Sequence, residues 1–460
     1  MSDSSTVAVT QLYGTDVSET RQREAFTSGS VPVAVYGLGK MGLPLASVYA
    51  ETSGNVVGAD VDPDVVATIN DGGCHVKREP GLPELVDELV TDGALQATTD
   101  PEQAAKDASI HVVIVPTPIT DDNEPDLSIV ESVLSDIGSG LAVGDLVVIE
   151  CTVPPRTTVE TAKPILEDES ELSVGDFGLA FCPERTSSGR ALEDIRGAYP
   201  KVVGGVDDES TRVAELVYKE INSEGVIPVS DATTAEAVKV FEGLYRDVNI
   251  GLANELAALT DEIGIDVNEA IGVANTQPYC NIHDPGPGVG GHCIPFYPYF
   301  VIEPFEGETK LLETARAVND GMPSFTVGKL REEFNAEGTS LAELSVLILG
   351  LTYRPGVEEI RASPSIDIAS ELSAAGADVF GVDPMLDDTS AFDLKEIGID
   401  AVYEQQFDAV VLVTPHDDFD DIRWEAISRG DGQLVVIDGR DTLELGATDH
   451  RVYTIGSGYV

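Results

Sequence analysis

Three groups of residues carry chemistry on type and spacing alone. The first is Gly37-x-Gly39-x-x-Gly42, which follows the apolar run Val33-Ala34-Val35-Tyr36 and opens a helical stretch. In such a motif one glycine permits a tight turn, the next lets backbone approach a pyrophosphate, and the third allows close packing. The helix N-terminus then attracts the phosphates. Asp60, 23 residues beyond Gly37, ends the next apolar run. It would accept from ribose hydroxyls and repel a 2′-phosphate, favouring NAD over NADP. The second group is the loop Pro285-Gly286-Pro287-Gly288-Val289-Gly290-Gly291-His292-Cys293-Ile294-Pro295. Its glycines would let backbone amides wrap a polar ligand, and a cysteine waits at its end. A lone cysteine is commonly a small buried apolar residue, but a flexible segment can present a reactive thiol. Adjacent side chains rarely face each other, so His292 reads as structural. The third group is Lys239, Gly243 and Arg246, at i, i+4 and i+7 of a helical pattern and therefore on one face. Lys239 with Arg246 suits a phosphate or an oxyanion, although a solvated helix face is an equal reading.

The elements that must position these groups alternate. Apolar strand-like runs occur at Val33–Tyr36, Asn55–Asp60, His111–Val115 and Leu146–Ile149, with helical patterns between them. Alternation of this kind predicts a parallel sheet covered on both faces. From Thr233 the period changes. Thr233-x-x-Glu236 has the form of a capping box, and a helical pattern runs to about Ile263, stopped by Gly264. A second α/β series starts at Leu344–Leu349 and continues through Asp378–Val382, Ala409–Val413 and Leu434–Ile437. The fold class expected is α/β, with two doubly wound Rossmann-like domains joined by a long-helix central domain. The expected boundaries are a flexible leader at 1–30, an NAD-binding domain at 31–210, a central helical dimerisation and catalytic domain at 211–330, and a C-terminal α/β domain at 331–460.

Composition narrows the partners. The chain has 460 residues, 82 Asp and Glu against 27 Lys and Arg, and a formal charge of −55. Such a surface repels nucleic acid and anionic lipid unless a basic patch overrides it, and none is visible. Hydrophobic residues make up 42%, which is globular rather than disordered. Of the cations 17 are Arg and 10 are Lys. Acid excess with scarce Lys suggests a halophilic protein, because molar salt shortens the Debye length to about 3 Å and makes self-repulsion tolerable. Cys74, Cys151, Cys182, Cys280 and Cys293 are widely spaced and contain no CxxC pair, so no disulfide framework or metal site is expected. No apolar run approaches the roughly 18 residues of a membrane span, and residues 1–30 lack the form of a signal peptide, so the protein is expected in the cytoplasm.

Further motifs carry a resemblance. Gly37–Pro44, Val115-Pro116-Thr117-Pro118, Thr152-Val153-Pro154-Pro155, Cys182-Pro183-Glu184-Arg185, Tyr245–Ile250, the cysteine loop, Gly350–Pro364 and Asp438-Gly439-Arg440 together resemble the nucleotide-sugar (UDP-sugar) 6-dehydrogenases. The segment Pro-Gly-x-Gly-Val-Gly-Gly-His-Cys-Ile is more similar to the UDP-N-acetylmannosamine and UDP-N-acetylglucosamine branch than to the UDP-glucose branch. The resemblance implies oxidation of a sugar C6 alcohol to a carboxylate with two NAD per turnover, through a thiohemiacetal and a thioester on Cys293. It implies that Lys239 stabilises an alkoxide, that Thr152 and Glu184 hold water near C6, and that Gly37, Gly39, Lys40, Met41, Gly42, Asp60, Thr117 and Thr152 bind NAD. Glu184, Arg185, Lys239, Arg246, Asn249, Gly288, Gly290, Gly291, Arg361 and Arg440 would take the UDP-sugar, in a homodimer or higher oligomer.

Five positions depart from the family pattern. Gly243 stands where Asn is usual, Tyr297 where Asp is usual, and Tyr279 where an Arg in relatives contacts substrate across a dimer. Arg156 replaces the Gly of Pro-Pro-Gly-Thr, and Arg354 replaces a Lys. Two other readings stand beside the dehydrogenase of UDP-N-acetylhexosamines. One is a single-step 3-hydroxyacid or 6-phosphogluconate-type dehydrogenase, which needs no thiol. The other is a non-catalytic nucleotide-sugar-binding homologue, which Gly243 and Tyr297 would favour.

Overall fold

The computed structural model describes residues 9–427, 429, 432–445 and 448–459. The chain divides into two compact units, one of Met1–Phe241 with Tyr299–Pro304 and one of Glu242–Pro298 with Phe305–Val460.

The first unit is built on eight strands: β1 Val33–Tyr36, β2 Val56–Ala59, β3 Leu95–Thr98, β4 Ile110–Val113, β5 Leu146–Ile149, β6 Gly178–Phe181, β7 Lys201–Gly205 and β8 Val226–Pro228. Their order is β3-β2-β1-β4-β5-β6-β7-β8. Val33 lies in register with Val56 on one side and Ile110 on the other. The central strands β1, β5 and β6 are apolar and buried at every position because both faces are covered. Val33 and Val35 belong to one core cluster, Ala34 and Tyr36 to the other. The sheet departs from all-parallel at one place, where β6 and β7 pair antiparallel.

The second unit repeats the plan with β9 Ser345–Leu349, β10 Asp378–Val382, β11 Lys395–Glu396, β12 Ala409–Leu412, β13 Val435–Asp438, β14 Arg451–Thr454 and β15 Gly458–Tyr459. The order is β11-β10-β9-β12-β13-β14-β15, with the last pair antiparallel. Val346 and Ile348 face one cluster, Leu347 and Leu349 the other. In both sheets strand order reverses beside the first strand, between β1 and β4 and between β9 and β12. Ligands of doubly wound folds bind at such switch points.

Several expectations change. Residues 9–30, expected as a flexible leader, are anchored to the first unit. Leu12, Tyr13 and Phe26 are buried, and Glu19–Thr27 forms a helix. The Tyr13 hydroxyl donates to Asp207 at 2.8 Å. Residues 1–8 lie outside the described residues. A boundary at 210/211 would cut the helix Asp208–Ile221, whose Val213, Leu216, Val217 and Tyr218 are buried in the first unit's core. The long helix runs from Ala232 to Ala258, about 40 Å at 1.5 Å per residue, and the division between units falls inside it. It stops short of Ile263, and Thr260–Ile263 forms a separate turn ended by Gly264 at φ +72°. Thr233 and Glu236 do not make the expected capping box. Asp231 accepts from the Thr234 amide at 2.7 Å, and Glu236 is buried and turned elsewhere.

Candidate active site

In the first unit the glycine turn follows β1, as its spacing predicts. Gly37 sits at φ +92°, and a Cβ there would lie 2.4 Å from the Ile114 carbonyl oxygen. A Cβ on Gly42 would lie 1.9 Å from the Gly37 carbonyl oxygen, so this glycine is required for the turn itself. Gly39 differs. A Cβ there meets nothing within 4 Å, which leaves open the approach that a pyrophosphate needs. Asp60 has two tasks. Its Oδ2 accepts from the Leu38 amide at 2.7 Å and its Oδ1 from the Asp62 amide at 3.0 Å, which braces the turn. A carboxylate has about four acceptor sites, so Asp60 keeps capacity for ribose hydroxyls. Lys40 is exposed and Met41 half-buried beside Gly39. Asp62 caps the next helix by accepting from the Asp64 amide at 2.9 Å. These residues fit NAD.

The rest of the first unit's site residues gather at strand ends. Thr117 donates from Oγ1 to the Thr152 carbonyl at 2.6 Å, tying the loops after β4 and β5 together. Glu184, just beyond β6, places Oε2 3.7 Å from Lys239 Nζ, and Lys239 is buried. A buried ammonium with a carboxylate beside it is preorganised to meet developing negative charge. Arg185 has a bracing part, with its guanidinium 5.0 Å over the Tyr199 ring and a bond to the Pro200 carbonyl at 3.3 Å.

Two buried carboxylates that sequence reasoning missed hold these loops. Glu150, the residue before Cys151-Thr152, pairs with Lys201 at 2.5 Å and accepts from the Tyr218 hydroxyl. Burial raises its pKa, against the pull of Lys201. Glu236 accepts from the amides of Arg156 at 2.5 Å and Thr158 at 2.7 Å, and from the Thr158 hydroxyl at 2.6 Å. Burial pushes it up to about 7, despite these donors. The capping-box pattern drew attention to Glu236 for the wrong reason, and no local signal marks Glu150.

In the second unit the loop after β9 copies the glycine turn. Gly350 sits at φ +85° and its Cβ would meet the Thr414 carbonyl oxygen at 2.1 Å. Asp383, after β10, accepts from the amides of Leu351 at 2.6 Å and Thr352 at 2.8 Å, as Asp60 does from Leu38. His416 adds a contact to the same oxygen at 3.1 Å. Burial alone would raise Asp383, but His416 and the backbone donors hold its carboxyl below the usual range. A glycine after one strand and an acid after the next, seen already at Gly37 and Asp60, is the signal that could have found this pair.

The glycine loop packs against that turn. A Cβ at Gly286 would lie 2.3 Å from an Arg440 guanidinium nitrogen, and one at Gly290 would lie 2.6 Å from the Ala362 carbonyl oxygen. Gly288 packs on Pro364 and Gly291 on Tyr353. The Gly286 amide donates to Asn254 Oδ1 at 2.9 Å and the Gly291 amide to the Arg361 carbonyl at 2.8 Å. Two amides expected to wrap a ligand are therefore spent on the protein, and close packing is the first reason for the glycines. Arg440 donates to the Val413 carbonyl at 3.1 Å, and burial lowers its guanidinium pKa to about 10. Arg361 lies 4.8 Å over the Phe296 ring and lines a cavity of about 410 Å³ with His292, Glu358, Glu359 and Asp387. His292 turns to Glu359.

Cys293 is exposed. Cys151 and Cys182 are buried, which raises the first to about 12 and the second well above its ordinary value, so both are inert thiols. Asn249 is spent on the approach to the loop, donating to the Asn281 carbonyl at 2.6 Å and accepting from the His283 amide at 2.8 Å. Arg246 is exposed, and with burial its charge lowers the His283 pKa. Among the described residues no group of three His, Cys, Asp or Glu is placed to hold a metal, and no helix is long and apolar enough to cross a membrane.

Models of the UDP-glucose/GDP-mannose dehydrogenase family match the chain at its NAD binding domain (residues 31–222), central domain (233–321) and UDP binding domain (347–445). The chain belongs to this family. The UDP-N-acetyl-D-mannosamine dehydrogenase of Pyrococcus horikoshii is 36% identical over 414 residues, covering 90% of this chain and 96% of that protein. A solved structure of the Pyrococcus horikoshii UDP-D-ManNAc dehydrogenase superposes with a TM-score of 0.84 at 33% identity, covering 93% of this chain and 99% of that one. The NDP-N-acetyl-D-galactosaminuronic acid dehydrogenase of Methanosarcina mazei superposes with a TM-score of 0.82 at 29% identity, over 93% and 95%. As a UDP-glucose/GDP-mannose dehydrogenase, this protein is an NAD-dependent oxidoreductase acting on a UDP-sugar. The single-step hydroxyacid reading and the non-catalytic reading give way to that activity.

Proposed function

We propose that this enzyme oxidises C6 of UDP-N-acetylmannosamine to the uronate through a covalent intermediate on Cys293. The supporting observation is an exposed thiol at the end of a glycine loop braced by Arg440 and Arg361, in a chain similar throughout to UDP-N-acetyl-D-mannosamine dehydrogenases. NAD, when bound, accepts a hydride in each of the two oxidations. Gly37, Gly39, Gly42, Lys40, Met41, Asp60, Thr117 and Thr152 hold it. Lys239 stabilises the C6 oxyanion as it forms, with Glu184 fixing the ammonium. The Cys293 thiolate adds to the C6 aldehyde to give a thiohemiacetal, and loss of the second hydride leaves a thioester. Glu184 and Thr152 hold the water that releases the uronate. Arg185, Arg246, Asn249, Arg361 and Arg440, with Gly288, Gly290 and Gly291, serve the sugar-diphosphate and its loops.

The reading is tested by NADH stoichiometry with UDP-N-acetylmannosamine, UDP-N-acetylglucosamine and UDP-glucose side by side in high KCl. Two NADH per sugar with the first substrate, and loss of that yield in Cys293→Ala, are expected. One NADH per sugar, or full yield from Cys293→Ala, refutes the thioester. A homodimer or higher oligomer is proposed on the long helix, where Leu244, Tyr245, Val248 and Leu252 line an apolar hollow of about 380 Å³ and Tyr245 and Leu252 are exposed. Sedimentation of a monomer at all concentrations would refute it.

A further inference from the structure

We infer that Gly243 and Tyr297 form one steric pair that sets the position of the Cys293 turn, which makes Tyr297 a positioning residue for that thiol. The consequence for catalysis rests on the proposed role of Cys293. A Cβ built on Gly243 would lie 1.8 Å from Tyr297 Cδ2, 2.7 Å from Cγ and 2.9 Å from Cβ. Only glycine fits beneath the ring. Backbone conformation is not the reason for the glycine, because Gly243 is within the long helix and is not among the residues at positive φ. Glycine is the poorer helix former in a helix interior, so the contact is what the glycine serves.

Tyr297 is tied to Cys293 as directly as it is to Gly243. The amides of Phe296 and Tyr297 both donate to the Cys293 carbonyl, at 3.1 and 2.9 Å, and close a turn. Upstream, Gly290 and Gly291 rest on Tyr353 and Ala362, and the Gly291 amide donates to the Arg361 carbonyl. Downstream the buried Tyr297 ring rests on the helix backbone at Gly243. The thiol is exposed, yet its backbone is held from both sides. Gly243 and Tyr297 are therefore one fitted pair. An aromatic ring occupies space that a side chain on the helix would otherwise fill.

The test is a cycle of Gly243→Ala, Tyr297→Ala and the double variant in the full-length enzyme. It is read by iodoacetamide alkylation of Cys293 in peptide mass spectrometry, with the half-buried Cys280 as a control within the same chain. Steady-state kcat and KM are measured alongside. Alanine is the better helix former, yet Gly243→Ala is expected to lower kcat about 100-fold with little change in KM for NAD, as for a reacting group displaced by about an ångström. Both single variants should change the Cys293 alkylation rate about tenfold, because disturbing the turn alters the exposure and surroundings that set the thiol's reactivity, and leave Cys280 unaffected. In the Tyr297→Ala background, adding Gly243→Ala should cost nothing further. Equal cost of Gly243→Ala in both backgrounds overturns the proposal, as does a change in Cys293 alkylation below about threefold in Tyr297→Ala. If Gly243→Ala does not fold, Tyr297→Ala introduces no clash and carries the test through alkylation. Alkylation does not depend on turnover, so failure of the thioester in Cys293→Ala is distinguishable from failure of the positioning pair.

Discussion

Lys201→Met in the first unit offers a sharp energetic test, because it leaves the Glu150 carboxylate buried without its cation. Glu150 is 1% exposed, and its partners are Lys201 at 2.5 Å and the Tyr218 hydroxyl. Removing one member of a buried pair costs about 3–5 kcal/mol when the other stays charged. Glu150 has a cheaper course, which is to bind a proton. From an ordinary value of 4.5, protonation at pH 7 costs about 3.4 kcal/mol, at about 1.36 kcal/mol per pH unit. That sets the ceiling on the destabilisation at pH 7. At pH 5 the same step costs only about 0.7 kcal/mol. The sign follows from the raised pKa. The folded state holds a proton that the unfolded state releases, so the variant's stability is greatest below pH 4.5 and falls as pH rises. Urea titrations followed by far-UV circular dichroism at pH 5 and pH 7 measure this. A loss of about 3 kcal/mol at pH 7 that shrinks to under about 1 kcal/mol at pH 5 is expected. A loss equal at both pH values would refute the reasoning, and Glu150→Gln/Lys201→Met should remove the pH dependence.

Three further outcomes follow from the geometry. Gly42→Ala places a methyl 1.9 Å from the Gly37 carbonyl and should abolish NAD binding, whereas Gly39→Ala meets no protein atom and should keep thermal stability while raising KM for NAD. Denaturation curves alongside NAD titrations separate the two. Glu236 titrates near 7, so its contribution to stability is full below pH 4.5 and is lost as pH rises through 7. Glu236→Gln should flatten that part of the stability–pH curve, about 3 kcal/mol in height, and speed amide exchange at Arg156 and Thr158. Arg156 holds φ +84°, so Arg156→Gly should raise the unfolding free energy by about 1 kcal/mol in urea titration, with the loop unchanged.

The sequence was most legible where structure is local. The run at Leu146–Ile149 matches its strand end for end because a strand buried on both faces is apolar throughout, and Asp378–Val382 matches as well, apolar after its exposed first residue. The glycine fingerprint was equally readable, since its requirements are met within a few residues of itself. Leu12, Tyr13 and Phe26 stand in a largely polar segment, and the core they join, with Val213, Leu216 and Val217, is formed by residues far along the chain. Glu236 has the same history. Its pattern fits a helix cap, but a carboxylate that can satisfy three donors at Arg156 and Thr158 contributes more there than at a helix start that Asp231 already caps.

The departures from the family pattern make sense once they are taken with their contacts. Arg156 keeps a backbone conformation suited to glycine, and two acids accompany it. Glu236 accepts from its amide and Glu160 pairs with its guanidinium. Gly243 lies under the ring of Tyr297. Each change taken alone looks like the loss of a working residue. In both places the side chain or its absence is matched by contacts that hold the loop in place. With 27 cations against 82 acids, Lys201 and Lys239 are held by Glu150 and Glu184 in the first unit, and Arg440 by the Val413 carbonyl in the second. Positive charge is scarce in this protein, and part of what it has is fixed in the framework of the site.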